Sequence, residues 1–490
     1  MNADQLRNQH LLWRAGFGPS LAQFTDIKSR SSKKLFHQVL EASLAAPDLF
    51  DVADPSIKAL ETRSDAMMLS TPGGQENLKQ FRKQSVLDIR KLNTRWLDEM
   101  THSDAQLREK MALFWHGHFA TKTVNIIYDQ QLLDIIRRHA LGNFRELLYE
   151  VSHSASMIHF LNNNQNRKDH PNENFARELM ELFTLGRGHY TETDVKESAR
   201  AFTGWTTSFR GDFQIRERQH DEGIKTFLGK TGNLTGDNIL EVLLGKRETA
   251  VFLSTKIYRF FVNDQVNERR VNELADLFFQ SGYDIQKLLK AIFLSDWFYD
   301  PENIGVQIKS PVVWMVGMRR QLDLDITNPD VQILVQRLLG QVLFNPPNVA
   351  GWPGGKHWID SSSLMFRLRL PQLVDNADAI TLSPKDDDDL MMGNATFSGR
   401  RRSFTGGDGM PDNRRNAQFI HAKVNWQALA GCYQDIPDQD LPDALAATLL
   451  QYGPTGFPEE LKKFTGSPDR DGLIRSAVIR CMTAPEYQLC

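Results

Sequence analysis

The first groups able to do chemistry are two carboxylates one helical turn apart. Along ENFARELMELFTL, residues 173–185, Phe175, Leu179, Leu182 and Phe183 form an apolar stripe at about 100° per residue. Asn174, Glu178 and Glu181 recur at i, i+4 and i+7 along one flank of that stripe, with Arg177 and Glu173 across the polar face. Carboxylates so placed suit a hard metal ion, or can share a proton once water is excluded. The same spacing also serves a solvated face, or ion pairs to arginines of neighbouring helices.

Histidines offer two further places. His116 and His118 flank Gly117 at the end of the run DAQLREKMALFWHGHF. In a continuous helix, i and i+2 diverge by about 200°, so the two rings cannot chelate one ion. His118 falls with Leu107, Met111 and Phe114 on the apolar face, as a ligand or as a hydrogen-bonded core residue. His220 and Asp221 adjoin in QHDEGIKTFLG with Lys225 close behind, fit for a base and its orienter, for metal ligands, or for a plain turn. Trp352 and Trp358 lie in PPNVAGWPGGKHWID, a loop able to stack on sugar rings or cap a cleft, or to be pinned to the body by its tryptophans. No G-x-S-x-G elbow, S-x-x-K set, P-loop, G-x-G-x-x-G turn or H-E-x-x-H is present.

These groups point to a metal-dependent hydrolase. Glu178, Glu181 and His118 or His220 would be ligands, Asp221 would orient an imidazole, and the residues assigned to catalysis are His220, Asp221 and Arg177. Mixed carboxylate and imidazole donors suit Mn, Fe or Zn better than calcium. The ion would acidify a bound water and polarise the substrate. The alternative is a non-catalytic binding protein, with the same carboxylates paired to Arg177 and Arg200 and the Trp352/Trp358 loop offered to a partner.

The elements that must position these groups are helical. Apolar periodicity predicts helices over 78–100, 104–119, 129–150, 173–185, 191–204, 248–262, 271–280, 284–298 and 330–343. Ser103 with Gln106 fits a capping box, and Thr191 stands three before Asp194. Strand signals are confined to Phe213, Ile215 and Phe227, enough for one small hairpin near 209–230. The expected fold is mostly α: a main domain over 1–380, a linker or surface loop over 383–416 where Asp386–Asp389 faces Arg400–Arg402 across glycines, and a small helical subdomain over 417–490 packed on the main body.

Composition narrows the function classes. Net charge is −3 over 490 residues, with 58 basic and 61 acidic, so neither nucleic acid nor an anionic membrane is indicated as partner. Cys432, Cys481 and Cys490 match no zinc or haem spacing and read as reduced thiols. No signal peptide or transmembrane run is evident, so the cytoplasm is the default compartment.

The segment PNENFARELMELFTLGRGHYTETDVKESARAFTGW, residues 171–205, closely resembles the hallmark of the bacterial domain of unknown function 1800 family. HLLWRAGFGPS, LREKMALFWHGHFAT, QHDEGIKTFLG, IKSPVVWMV and LGQVLFNPPNVAGWPGGKHWI extend the resemblance in order over roughly residues 8–370, and SAVIRCMTAPEYQL resembles the family's end. The resemblance implies an envelope location for many relatives and a partner from the domain of unknown function 1501 family, which is similar to alkaline phosphatases. It implies no catalytic residue. Its segments coincide with the histidine and carboxylate clusters above, which favours their convergence on one site.

Overall fold

The computed structural model describes residues 3–24, 26–61, 74–376, 379–380, 418–451 and 469–490. The expected 383–416 linker lies outside them. Helices dominate, and strands occur only as four two-stranded antiparallel pairs among the described residues. A single apolar core runs from Leu11 to Cys490 and takes in the described C-terminal helices Leu441–Leu449 and Arg470–Met482.

Local chemistry sets the helix ends. Thr191 caps Glu192–Ala201, and its hydroxyl and the Asp194 carboxylate each accept the other's backbone N–H. The expected box at Ser103 is not formed. Ala105 takes the N-cap place of Gln106–His118, and the Ser103 hydroxyl accepts the Ala105 N–H instead. The expected run 129–150 is two helices, Ile126–His139 and Phe144–His153, because the Asn143 side chain caps a new start by accepting from Arg145 N. The segment expected to hold one hairpin holds two: Trp205–Thr207 with Phe213–Ile215, and Lys225–Phe227 with Lys230–Gly232. Phe213 and Ile215 thus pair backward, with residues N-terminal to the expected hairpin.

The helix Gln106–His118 is buried along almost its whole length. Glu109, fully buried, accepts from Arg137 Nε and Nη2 at 3.0 Å each, from Arg108 Nε at 2.9 Å and from Trp96 Nε1 at 2.9 Å. This charge-assisted cluster ties the helix to Gly74–His102 and Ile126–His139, and so fixes where Lys110 and His118 stand.

Distant stretches close the other side. Arg14, at the end of the helix Ala3–Arg14, donates to the Cys490 carbonyl at 2.8 Å. Gln307 and Cys490 exchange backbone hydrogen bonds of 3.1 and 2.8 Å, and Lys309 N donates to Gln488 O at 2.8 Å. Residues 307–309 and 488–490 therefore run as a short antiparallel pair beneath the first helix.

Candidate functional site

A cleft of about 630 Å³ opens where these stretches meet the end of Gln106–His118. Its wall brings together Lys110, Lys256, Arg259, Lys309 and Lys356 with one acidic side chain, Asp264, and negative charge at Cys490 also acts on Lys110 and Lys309. His118, Trp352 and Trp358 also line it. Of the residues singled out by the sequence, these three are the ones that converge.

The amines of Lys110, Lys309 and Lys256 are held by backbone carbonyls. Lys110 Nζ donates to Trp13 O at 3.1 Å and lies over the rings of Phe17 and Phe260. Lys309 Nζ donates to Tyr487 O at 2.7 Å and sits 3.6 Å from the Trp13 ring centre. Lys256 Nζ reaches Leu182 O at 3.4 Å. Burial disfavours the charged amines, lowering Lys110 and Lys309 to about 7 and Lys256 to about 8.

His118 is 3 % exposed, and burial first, then Lys256, drives it well below the ordinary histidine range. Its Nε2 donates to Phe183 O at 3.2 Å. A carbonyl only accepts, so Nε2 carries the proton and Nδ1 keeps a lone pair. That Nδ1 is buried without a hydrogen-bond partner among the described residues. His116, as its divergence from His118 requires, faces elsewhere. Its Nε2 accepts from Phe344 N at 3.1 Å, and burial lowers it to about 3, so it is a neutral core residue.

The carboxylate helix reaches the cleft by a different route from the expected one. It is α-helical over Asn174–Glu178 and widens to a π-helix over Leu179–Thr184. Thr184 Oγ1 donates to Leu179 O at 2.7 Å, a five-residue closure. The widened turn offers the carbonyls of Leu182 and Phe183 to Lys256 and His118. Its backbone, rather than its carboxylates, touches the cleft-lining side chains. Glu181 accepts from Arg187 Nε at 2.6 Å and from Tyr190 OH at 3.2 Å. Glu178 has no hydrogen bond or ion pair among the described residues, and burial, then Glu181, raises its pKa. Arg177 is bound by Glu192 through two contacts of 2.8 Å and by Glu173 at 3.0 Å.

His220 and Asp221 are oriented separately. His220 Nδ1 donates to Thr203 O at 2.8 Å. Asp221 accepts from Arg200 Nε at 2.8 Å and Nη2 at 3.2 Å, and from Gly223 N at 2.8 Å. The Arg200 guanidinium holds that carboxyl below its usual range. The aspartate therefore steadies a turn and an arginine instead of the imidazole. Among the described residues no three of His, Cys, Asp and Glu gather closely enough to hold a metal ion.

The tryptophan loop roofs the cleft because two glycines let it approach. At Gly351, φ +82, a Cβ would lie 2.3 Å from the Gly117 carbonyl oxygen. At Gly355, φ +61, it would lie 2.8 Å from Asp264 Oδ2. Both positions demand glycine on conformation as well as on space. Trp358 is 8 % exposed, while Trp352 is half-buried with its ring 5.6 Å from His116.

Sequence reasoning missed the lysines. Lys110, Lys256 and Lys309 stand far apart in the chain on unremarkable stretches, and the one available signal was a lysine inside an otherwise apolar helical face at 110.

No curated protein and no solved structure matches the chain. The family model for a protein of unknown function, DUF1800, matches residues 10–489. The match spans nearly the whole chain and every cleft-lining residue except Cys490, and the protein belongs to the DUF1800 family.

Proposed function

We propose that this protein binds a small anionic ligand bearing an apolar ring. Its carboxylate or phosphate group is held by Lys110, Lys256 and Lys309, under the roof of Trp352 and Trp358. His118, neutral and with its Nδ1 unpartnered among the described residues, lines the same wall. The observation carrying this reading is the convergence of five cations and one acidic side chain on one aromatic-walled cleft. Buried cations without carboxylate partners are costly, and an incoming anion relieves that cost.

Because Lys110 and Lys309 titrate near 7, they are about half neutral at that pH. A bound anion raises them, so binding takes up protons and affinity falls as pH rises through 7. Calorimetric titration with phenyl phosphate and benzoate at pH 6.5 and 8.5 tests this. Saturable binding, tighter at the lower pH and at least ~10-fold weaker in Lys256→Ala, is expected, a loss of about 1.4 kcal/mol or more. No saturable heat from either probe, or equal affinity at both pH values, refutes it.

One observation favours a second reading, the metal-dependent hydrolase. Glu178 has no partner and stands beside Glu181 with a raised pKa. A divalent Mn, Fe or Zn ion would relieve that pair. Near-stoichiometric metal by mass spectrometry, lost in Glu178→Ala, supports it, and no metal in either protein removes it. A stable complex with a protein of the domain of unknown function 1501 family would instead make the Trp352/Trp358 loop a partner contact.

A further inference from the structure

The cleft does not end at Asp264. A second hollow, also about 630 Å³, shares Asp264, Ile308 and Lys356 with the first, so the two adjoin along these residues as lobes of one groove-like surface. Each lobe alone is of a size that takes a drug-like molecule, so the pair together suits a short oligomer.

The two lobes differ in charge. Five cations oppose one acidic side chain in the first. In the second, Asp264 and Glu302 oppose Lys356, and the rest of the polar lining is made of neutral amides such as Asn263 and Gln265. Asp264 and Glu302 are exposed, and neither forms an ion pair or side-chain hydrogen bond among the described residues. They are therefore open to a cation from outside the chain. Within the same groove His118, nine-tenths buried, keeps its unpartnered Nδ1.

From this gradient we infer that the groove takes a short peptide, its C-terminal carboxylate among Lys110, Lys256 and Lys309 and its ammonium end at Asp264 and Glu302. The inference rests on the anion-binding reading above. A peptide carries opposite charges at its two ends and amides between them, matching a basic lobe beside an acidic, amide-lined one. The aromatic wall of Phe114, Phe260 and Trp352 favours a ring on the last residue. An acidic oligosaccharide matches the first lobe but leaves the second with carboxylates facing a ligand that has no cation.

Calorimetry of the full chain at low salt, with four probes, tests the inference. The probes are a tetrapeptide of three alanines ending in phenylalanine, its C-terminal amide, its N-acetyl form, and a galacturonate tetrasaccharide. The free peptide is expected to bind best, with each capped form at least ~10-fold weaker. In Glu302→Gln, whose side chain makes no hydrogen bond or ion pair among the described residues, free and acetylated peptides are expected to draw together. If acetylation changes nothing in the unmodified protein while amidation still weakens binding, the acidic-lobe assignment falls and the anion reading stands. If amidation changes nothing and phenyl phosphate is not bound, both fall. Tighter binding of the tetrasaccharide than of the free peptide overturns the peptide assignment in favour of a saccharide.

Discussion

Asp129 is a carboxyl group enclosed by the fold, 3 % exposed, in the first turn of Ile126–His139. Thr123 Oγ1 donates to Oδ1 at 2.9 Å and Ser156 Oγ at 3.4 Å, while Oδ2 has no partner among the described residues. Burial outweighs those two donors and raises its pKa from 3.8 to about 7. The unfolded chain releases this proton at 3.8 and the folded chain keeps it to about 7, so the folded state binds more protons across that window. Stability is full below pH 3.8 and declines as pH rises, with the loss complete above 7. At about 1.4 kcal/mol per pH unit, the whole loss is on the order of 4 kcal/mol, of which ~3 kcal/mol falls between pH 5 and pH 8. Asp129→Asn removes the titration. Urea unfolding of both proteins at pH 5, 6, 7 and 8 should find the variant gaining on the parent by about 3 kcal/mol over that range. A difference that stays constant with pH would refute the assignment of this carboxyl as the titrating group.

Glu109→Gln leaves the buried Arg137 and Arg108 to share Glu99 alone, 3.3 Å from Arg137, and should cost about 3 kcal/mol, read as a lowered denaturation midpoint. Gly351→Ala forces a side chain into the left-handed region and against Gly117 O, so the loop must lift. Binding of phenyl phosphate should weaken at least ~10-fold, with helix content by circular dichroism unchanged.

How far the sequence foretold this site depends on the kind of signal each residue leaves. His118 was readable because helical spacing places it with Leu107, Met111 and Phe114, and its environment is the aromatic core that spacing implies. Trp352 and Trp358 were readable because a Pro- and Gly-rich loop rarely carries two large aromatics without a surface to cover. Glu178 and Glu181 do not line the cleft, because the uniform 3.6-residue period fails from Leu179 to Thr184, and nothing in ELMELFT announces the wider turn. His220 and Asp221 take different partners, because adjacency in sequence says nothing about which way each side chain turns. The lysines could not be assembled at all. Their convergence depends on packing between residues 13, 110, 256 and 309, which no local pattern records.

The pairing of residues 307–309 with 488–490, locked by Arg14, has a consequence in time. Arg14 and Cys490 are 476 positions apart, so at roughly 5–20 residues per second synthesis separates them by about 25–95 s. Trp13 waits through nearly all of that interval, and Lys110 and Lys309 from their own synthesis onward, without residues 488–490. The groove is then among the last features of the molecule to exist. Until residues 488–490 emerge, a nascent chain leaves that apolar floor open to chaperones.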